Sequence, residues 1–241
     1  MKTILILAAL FLFNSTQAQV FINKGMIEYE VVLNNHKAMG EGTWAEMFKD
    51  KISRLSTSYY QLTFDTDKSI YRFNRKDEKT KSPWGNDGSE DNIWFNDYSN
   101  DKFVQQKNVF GEIYILTDSL KRIHWKITNE NRMIAGFNCR KAVGILFDSV
   151  YVFAFYTDEI TVTGGPMSLN GLPGMIMGIT IPRMFSSWVA TKLEINGVNY
   201  GNITAPVKGK KKKAAELQET VVKVTKDWGN WGQQAVWNIF L

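Results

Sequence analysis

Apolar and polar residues alternate with a period of two in segment after segment of this chain. That pattern constrains the fold more than any other feature, because only an extended strand turns successive side chains to opposite faces. In Lys24–Leu33, Met26, Glu28 and Glu30 alternate with Ile27, Tyr29 and Val31. Tyr60, Leu62 and Phe64 repeat the pattern, Asp65 to Lys68 supply turn chemistry, and Ile70 to Phe73 resume it, so a hairpin is expected there. Further strands are expected before Phe110, through Ile113 and Ile115, through Ile123, Trp125 and Ile127, over Phe137–Phe147 and over Val150–Tyr156. The last of these is apolar on both faces, the mark of an inner strand. Met175–Ile181 and Ser187–Ile195 follow, and Asn196-Gly197 predicts a two-residue turn into a partner strand over Val198–Thr204.

Two stretches read instead as helix. Trp44, Met47, Phe48, Ile52, Leu55 and Tyr59 fall three or four apart with Thr43 placed to cap, which predicts an N-terminal amphipathic helix of roughly four turns. Leu217, Val221 and Val224 share one side of a C-terminal helix expected over Ala214 to about Thr225, and Trp228, Trp231, Trp237 and Phe240 close the chain. Between about residues 74 and 100 the chain is polar and rich in Gly and Asp, apart from Trp84, Ile93, Trp94 and Phe95, and reads as a mobile surface insertion. No repeat or linker divides the rest. The fold class is therefore mainly β (α+β), an antiparallel sheet with packed helices in a single domain spanning 19–241, with a basic, Trp-rich helical tail over about 208–241.

Residues 1–18 have the form of a secretory signal peptide: Lys2, an apolar run from Ile4 to Phe13, and the small residues Thr16 and Ala18 before a cut after Ala18. The apolar run is too short to span a bilayer, and no later segment approaches a membrane span. No Cys follows the cut, which speaks against lipid anchoring. Removing the leader takes away only Lys2, so the net charge falls from +5 to +4, too mild to specify a partner. Nucleic acid is disfavoured by the expected compartment. The single cysteine, Cys139, allows no internal disulfide, so packing must hold the fold.

The chemistry-bearing residues are sparse. His36 and His124 are the only histidines, and neither has another His or a Cys at metal-ligand spacing; a soft Cu(I) site from Met167, Met175, Met177 and Met184 competes with ordinary core packing. Cys139 sits beside Arg140 and Lys141 in a predicted strand, where a buried, inert thiol is the expected state. Asp158 and Glu159 are adjacent, so within a strand they point to opposite faces and cannot share a substrate. No Gly-x-Ser-x-Gly elbow and no nucleotide-binding glycine motif occurs. The sequence thus supplies no catalytic set, no metal and no cofactor. Lys208–Lys213 reads either as a contact for an anionic surface or as a solvated loop.

One local motif stands out. In Gly171-Leu172-Pro173-Gly174-Met175-Ile176, Pro173 fixes φ and Gly174 can take the positive φ of a type II turn, aiming Met175, Met177, Ile179 and Ile181 along one face of the next strand. Such a corner either seats a core strand or forms the lip of an apolar groove with Leu172 and the methionines on the ligand. With Gly165-Pro166 before it, and Trp125, Ile127, Ile134, Gly136, Cys139, Lys141-Ala142, Tyr156 and Asp158-Glu159-Ile160 in order around it, the chain resembles the GLPGLI family, with Met175 replacing the usual Leu. Tyr60–Phe64 and Ser69–Tyr71 resemble that family's early hairpin. Pro182-Arg183 departs from it, standing where an acidic residue often follows the motif strand.

The resemblance implies an exported protein of the Bacteroidetes periplasm, linked to TonB-dependent outer-membrane transport. A more distant likeness to the lipoprotein-carrier half-barrels implies a curved antiparallel sheet or half-barrel. The expected function is a non-enzymatic binding or accessory protein that holds an apolar ligand or an outer-membrane transporter component, with Gly171, Leu172, Pro173, Gly174, Met175 and Met177 at the contact. The alternative is a periplasmic hydrolase whose acid and base meet only in three dimensions.

Overall fold

The computed structural model describes residues 21–80, 88–147 and 149–241. The leader expected at 1–18, together with Trp84, lies outside the described residues. Twelve strands among them form one curved, unclosed sheet. In chain order these are β1 (Gly25–Asn34), β2 (Leu55–Phe64), β3 (Lys68–Lys76), β4 (Ile93–Asp97), β5 (Lys102–Val109), β6 (Glu112–Ser119), β7 (Lys126–Ile134), β8 (Phe137–Leu146), β9 (Val150–Thr157), β10 (Met175–Ile181), β11 (Ser186–Glu194) and β12 (Lys210–Lys212). Their spatial order is β12-β6-β5-β4-β3-β2-β1-β11-β10-β9-β8-β7. Every pairing is antiparallel except β12 with β6.

The helices are α1 (Asn35–Ala38), α2 (Thr43–Lys49), α3 (Ala214–Val224) and α4 (Asn230–Phe240). The four-turn helix expected from residue 44 to 59 is thus corrected: α2 ends at Lys49, and Leu55–Tyr59 belong to β2. Long-range pairing decides this. The run Leu55-Ser56-Thr57-Ser58-Tyr59 lies opposite Glu30–Asn34 and supplies backbone partners to the second half of β1. Gly42, not Thr43, stands at the cap.

Two further expectations fail for related reasons. Within the stretch expected as a surface insertion, β4 is an inner strand between β3 and β5, and Trp94, Phe95 and Asn96 are buried. The Asn196-Gly197 turn is present, but Val198–Thr204 does not pair back on β11, because β1 and β10 already occupy both its edges. The chain instead crosses the outer face of the sheet. There Ile203 packs on Ile70 and Phe95, side chains that point away from the main core. The crossing ends in β12, where the backbone of Lys210–Lys212 pairs with Tyr114–Leu116 while the Lys210 and Lys211 side chains stay exposed.

On the inner face the main core runs from Ile27, Tyr29 and Leu62 to Met175–Met177, Ile179 and Trp188. A second cluster seats α3 through Leu217 and Val221 on Phe103, Val109 and Leu116, whereas Val224, expected on the same side, is exposed. Trp237 and Phe240 of α4 are buried; Trp228 and Trp231 are about half exposed.

Candidate functional site

The Gly171–Gly174 motif folds into a corner and disappears into the core. Leu172 is 1 % exposed, and Met175 and Met177 are 0 % exposed. The turn is tighter than a type II turn: the Gly174 N–H donates to the Leu172 carbonyl at 2.8 Å, closing three residues around Pro173. Gly174 has φ +134°, and a Cβ there would sit 2.0 Å from the Thr157 carbonyl oxygen, so only glycine lets this backbone pass. A bulge at Ile176–Gly178 breaks the register with β9, and Met175, Ile176 and Met177 are all buried, so both faces of β10 are covered rather than one. The Tyr29 hydroxyl donates to the Ile176 carbonyl at 2.6 Å and the Trp125 indole to the Asn170 carbonyl at 2.8 Å, fastening the corner to β1 and to the segment before β7.

The other residues singled out in the sequence are dispersed. Met167 and Met184 are buried on different 3₁₀ turns. Cys139 is buried, and its thiol is pushed up to about 12 by burial, with the Glu159 charge adding to the effect. β9 ends at Thr157, so Asp158 and Glu159 lie beyond the strand and the opposite-face argument does not apply to them. The His36 ring contacts the Ile52 carbonyl at 3.1 Å. Among the described residues no three His, Cys, Asp or Glu side chains are grouped to hold a metal ion.

What the fold does assemble is a cavity that sequence reasoning missed. It measures 280 Å³ and lies between α4 and the inner faces of β1–β3 and β11. This is just under the roughly 300–1,000 Å³ usual for small-molecule sites. Its floor is aromatic. Tyr60 stacks on Tyr71 with centroids 5.1 Å apart and planes at 11°, Phe73 meets Tyr60 edge-on at 5.5 Å, and Trp94 meets Tyr71 at 5.4 Å. Trp188 forms a further wall, and Ser56, Ser58 and Ser186 bring hydroxyls to the rim. These side chains converge because Tyr60 lies opposite Phe73, Tyr71 opposite Trp94, and the period of two keeps all four on the inner face.

The roof is held by polar groups. The Trp94 indole donates to the Leu241 carbonyl at 3.1 Å and the Lys121 ammonium to the Phe240 carbonyl at 3.0 Å, so two side chains satisfy the C-terminal end of α4. At the base, Met167 has φ +59° and Ser168 φ +73°, an unusual pair of left-handed non-glycine residues. That turn puts Met167 on the cavity floor and lets the Ser168 hydroxyl accept from Gln105 at 3.1 Å. Beneath Trp94 lies Lys107, fully buried, its amine 4.0 Å from the Trp94 ring centroid and without a hydrogen-bond partner. Burial holds its pKa well below the usual lysine range, and the nearby Lys121 charge lowers it further.

Burial raises the phenols of Tyr29 and Tyr71 well above their ordinary value and pushes Tyr98 up to about 12. Only Tyr71 of these three lines the cavity, and Lys107 does not. Among the described residues, Tyr71 is thus the one strongly perturbed group that lines this cavity.

No known family model matches the sequence, and no curated protein does. Among solved structures the fold is similar to PNGF-II in two crystal forms, with TM-scores of 0.53 and 0.51 at 16% and 17% identity. In both, the alignment covers 82% of this chain and 32% of that one, so the present chain spans about a third of the length of the structures it matches. At such identity the likeness is one of fold: a large curved sheet, here with an aromatic cavity under its terminal helix.

Proposed function

We propose that this is a non-enzymatic, exported binding or accessory protein of the periplasm that holds an apolar, ring-bearing ligand against the aromatic floor of a half-barrel sheet. The observation that carries the reading is the Tyr60–Tyr71–Trp94 array beneath a cavity of 280 Å³. Aromatic faces offer an apolar ligand large contact area at little cost in side-chain entropy, and hydroxyls at the rim tolerate its polar end. The leader-like residues 1–18 and the GLPGLI resemblance support the compartment and a link to TonB-dependent transport. In this reading the Gly171–Gly174 corner acts indirectly, holding β10 and β9 in place, while contact falls to β1–β3, β11 and α4.

Titration with N-phenyl-1-naphthylamine, an uncharged aromatic dye that brightens in apolar surroundings, tests it. Saturable binding is expected, weakened about tenfold by Tyr60→Ala, a loss of roughly 1.4 kcal/mol. A folded protein that binds no dye, or a Tyr60→Ala variant that binds it equally well, overturns the ligand reading.

A further inference from the structure

The cavity continues outward. A second space of 420 Å³ lies between α1 and α4, and Ala38 and Gln234 line both spaces, so the two adjoin as inner and outer ends. Its chemistry changes from end to end. The inner end is ringed by aromatic side chains, and there the charges of Lys76 and Glu90 oppose each other. The outer end is lined by Lys37 and Arg183, with Glu41 as the single acidic residue on that wall.

Arg183 is held in place without being neutralised. Its guanidinium lies over the Trp237 ring at 5.2 Å, one Nη donates to the Ser149 carbonyl at 3.2 Å, and its own carbonyl accepts from Gln234 at 2.8 Å. Among the described residues neither Arg183 nor Lys37 belongs to an ion pair. Surface cations are most often simply solvated. These two differ in that they stand at the mouth of an aromatic groove, and one of them is pre-positioned on an indole. A stacked guanidinium keeps its remaining N–H groups in a fixed fork, which suits the paired oxygens of a carboxylate, phosphate or sulfonate.

We propose that the groove takes an amphiphilic anion: a ring-bearing apolar body on the Tyr60–Tyr71–Trp94 floor, and an anionic group between Arg183 and Lys37. This rests on the aromatic-floor reading and adds the charge of the ligand to it. A small anion of this kind fits better than an anionic membrane surface, because the receiving rings lie inside a groove beneath α4.

The test compares two dyes that differ by one group. 8-Anilino-1-naphthalenesulfonate is N-phenyl-1-naphthylamine with a sulfonate added. The sulfonate dye is expected to bind about tenfold more tightly at low salt, with the advantage shrinking as salt screens it. The Lys37→Gln/Arg183→Gln double variant should bring the two affinities together while leaving that of the neutral dye unchanged, and Arg183→Lys should restore part of the difference. Lys37→Gln alone alters only an exposed side chain and should halve the advantage or more, so the test survives a poorly folded double variant. Equal affinity for the two dyes, or a sulfonate advantage that both glutamine variants retain, overturns the charge assignment and leaves the aromatic floor standing. Failure of both dyes to bind removes the floor reading as well.

Discussion

Strands β7–β11 and strands β2–β6 belong to one sheet, yet different material fills their inner faces. Over β8–β10 the chain packs its own corner: Ile160, Leu172, Met175, Ile176 and Met177 are buried at 1 % exposure or less, and backbone hydrogen bonds tie Met175 to Ile160 and Ile176 to Gly164. Over β3–β5 the inward side chains include Gln105, Lys107 and Asn96, and the cover is a pair of helices that arrive last in the chain. A loop that packs while its strand pairs can fit closely; helices laid across a curved sheet leave gaps where their ridges do not match it. For that reason the cavity opens where the two regions meet, between α4 and β11, β1, β2 and β3. The lesson is that the Gly171–Gly174 corner builds the solid half, whereas the open space is made by aromatic side chains from several strands that only pairing brings together.

The corner offers the largest test of this contrast. Gly174→Ala would place a methyl group against the Thr157 carbonyl at a positive φ, and we expect a loss of about 3–5 kcal/mol in urea denaturation. A cost under about 1 kcal/mol would mean that the corner yields, and the rigid-half picture would fail.

Lys107 sharpens the other side. Its amine is buried without a partner, and the aromatic contact with Trp94 offsets only part of the desolvation cost. Lys107→Met should therefore raise stability by about 1–3 kcal/mol near neutral pH. Because the folded chain binds fewer protons than the unfolded chain between the depressed folded pKa and 10.5, wild-type stability should rise with pH across that window. The variant should show a flatter dependence by thermal denaturation over pH 7–9. A destabilised variant with an unchanged slope would show that Lys107 has a partner in solution.

The smallest effect concerns phenols. Tyr29, Tyr71 and Tyr98 have raised pKa values, so each favours the folded state below pH 10 and loses that contribution as pH rises through its folded value. Absorbance at 295 nm should show three of the nine tyrosines ionising only with alkaline unfolding. All nine titrating together in the folded protein would mean that water reaches the floor.

Local pattern made much of this fold legible. The alternation in β1 and the hairpin of β2 and β3 are where periodicity and turn chemistry place them, as is the helix from Ala214. Failures arose where pairing between distant segments overruled local pattern. Leu55–Tyr59 carry helical spacing but serve as the partner of β1, and the strand expected after Asn196-Gly197 found no free edge. The cavity was invisible for the same reason. Tyr60, Tyr71, Trp94 and Trp188 are spread along four strands, and only cross-strand register brings them together. The Gly-Pro punctuation, by contrast, was audible locally and folds into a buried corner.

The crossing of residues 195–209 over the outer face has a consequence in time. From β11 to β12 it must pass six strands, about 34 Å at ordinary strand spacing, well within the roughly 50 Å that such a segment can reach. It has nothing to lie on, and β12 nothing to join, until β1 has closed against β11 and β6 has taken its place beside β5. The helix that roofs the cavity follows β12 in the chain, so under the proposed function dye binding is expected to require β12 and the helices after it to be in place. A refolding experiment should find recovered strand content preceding recovered dye binding.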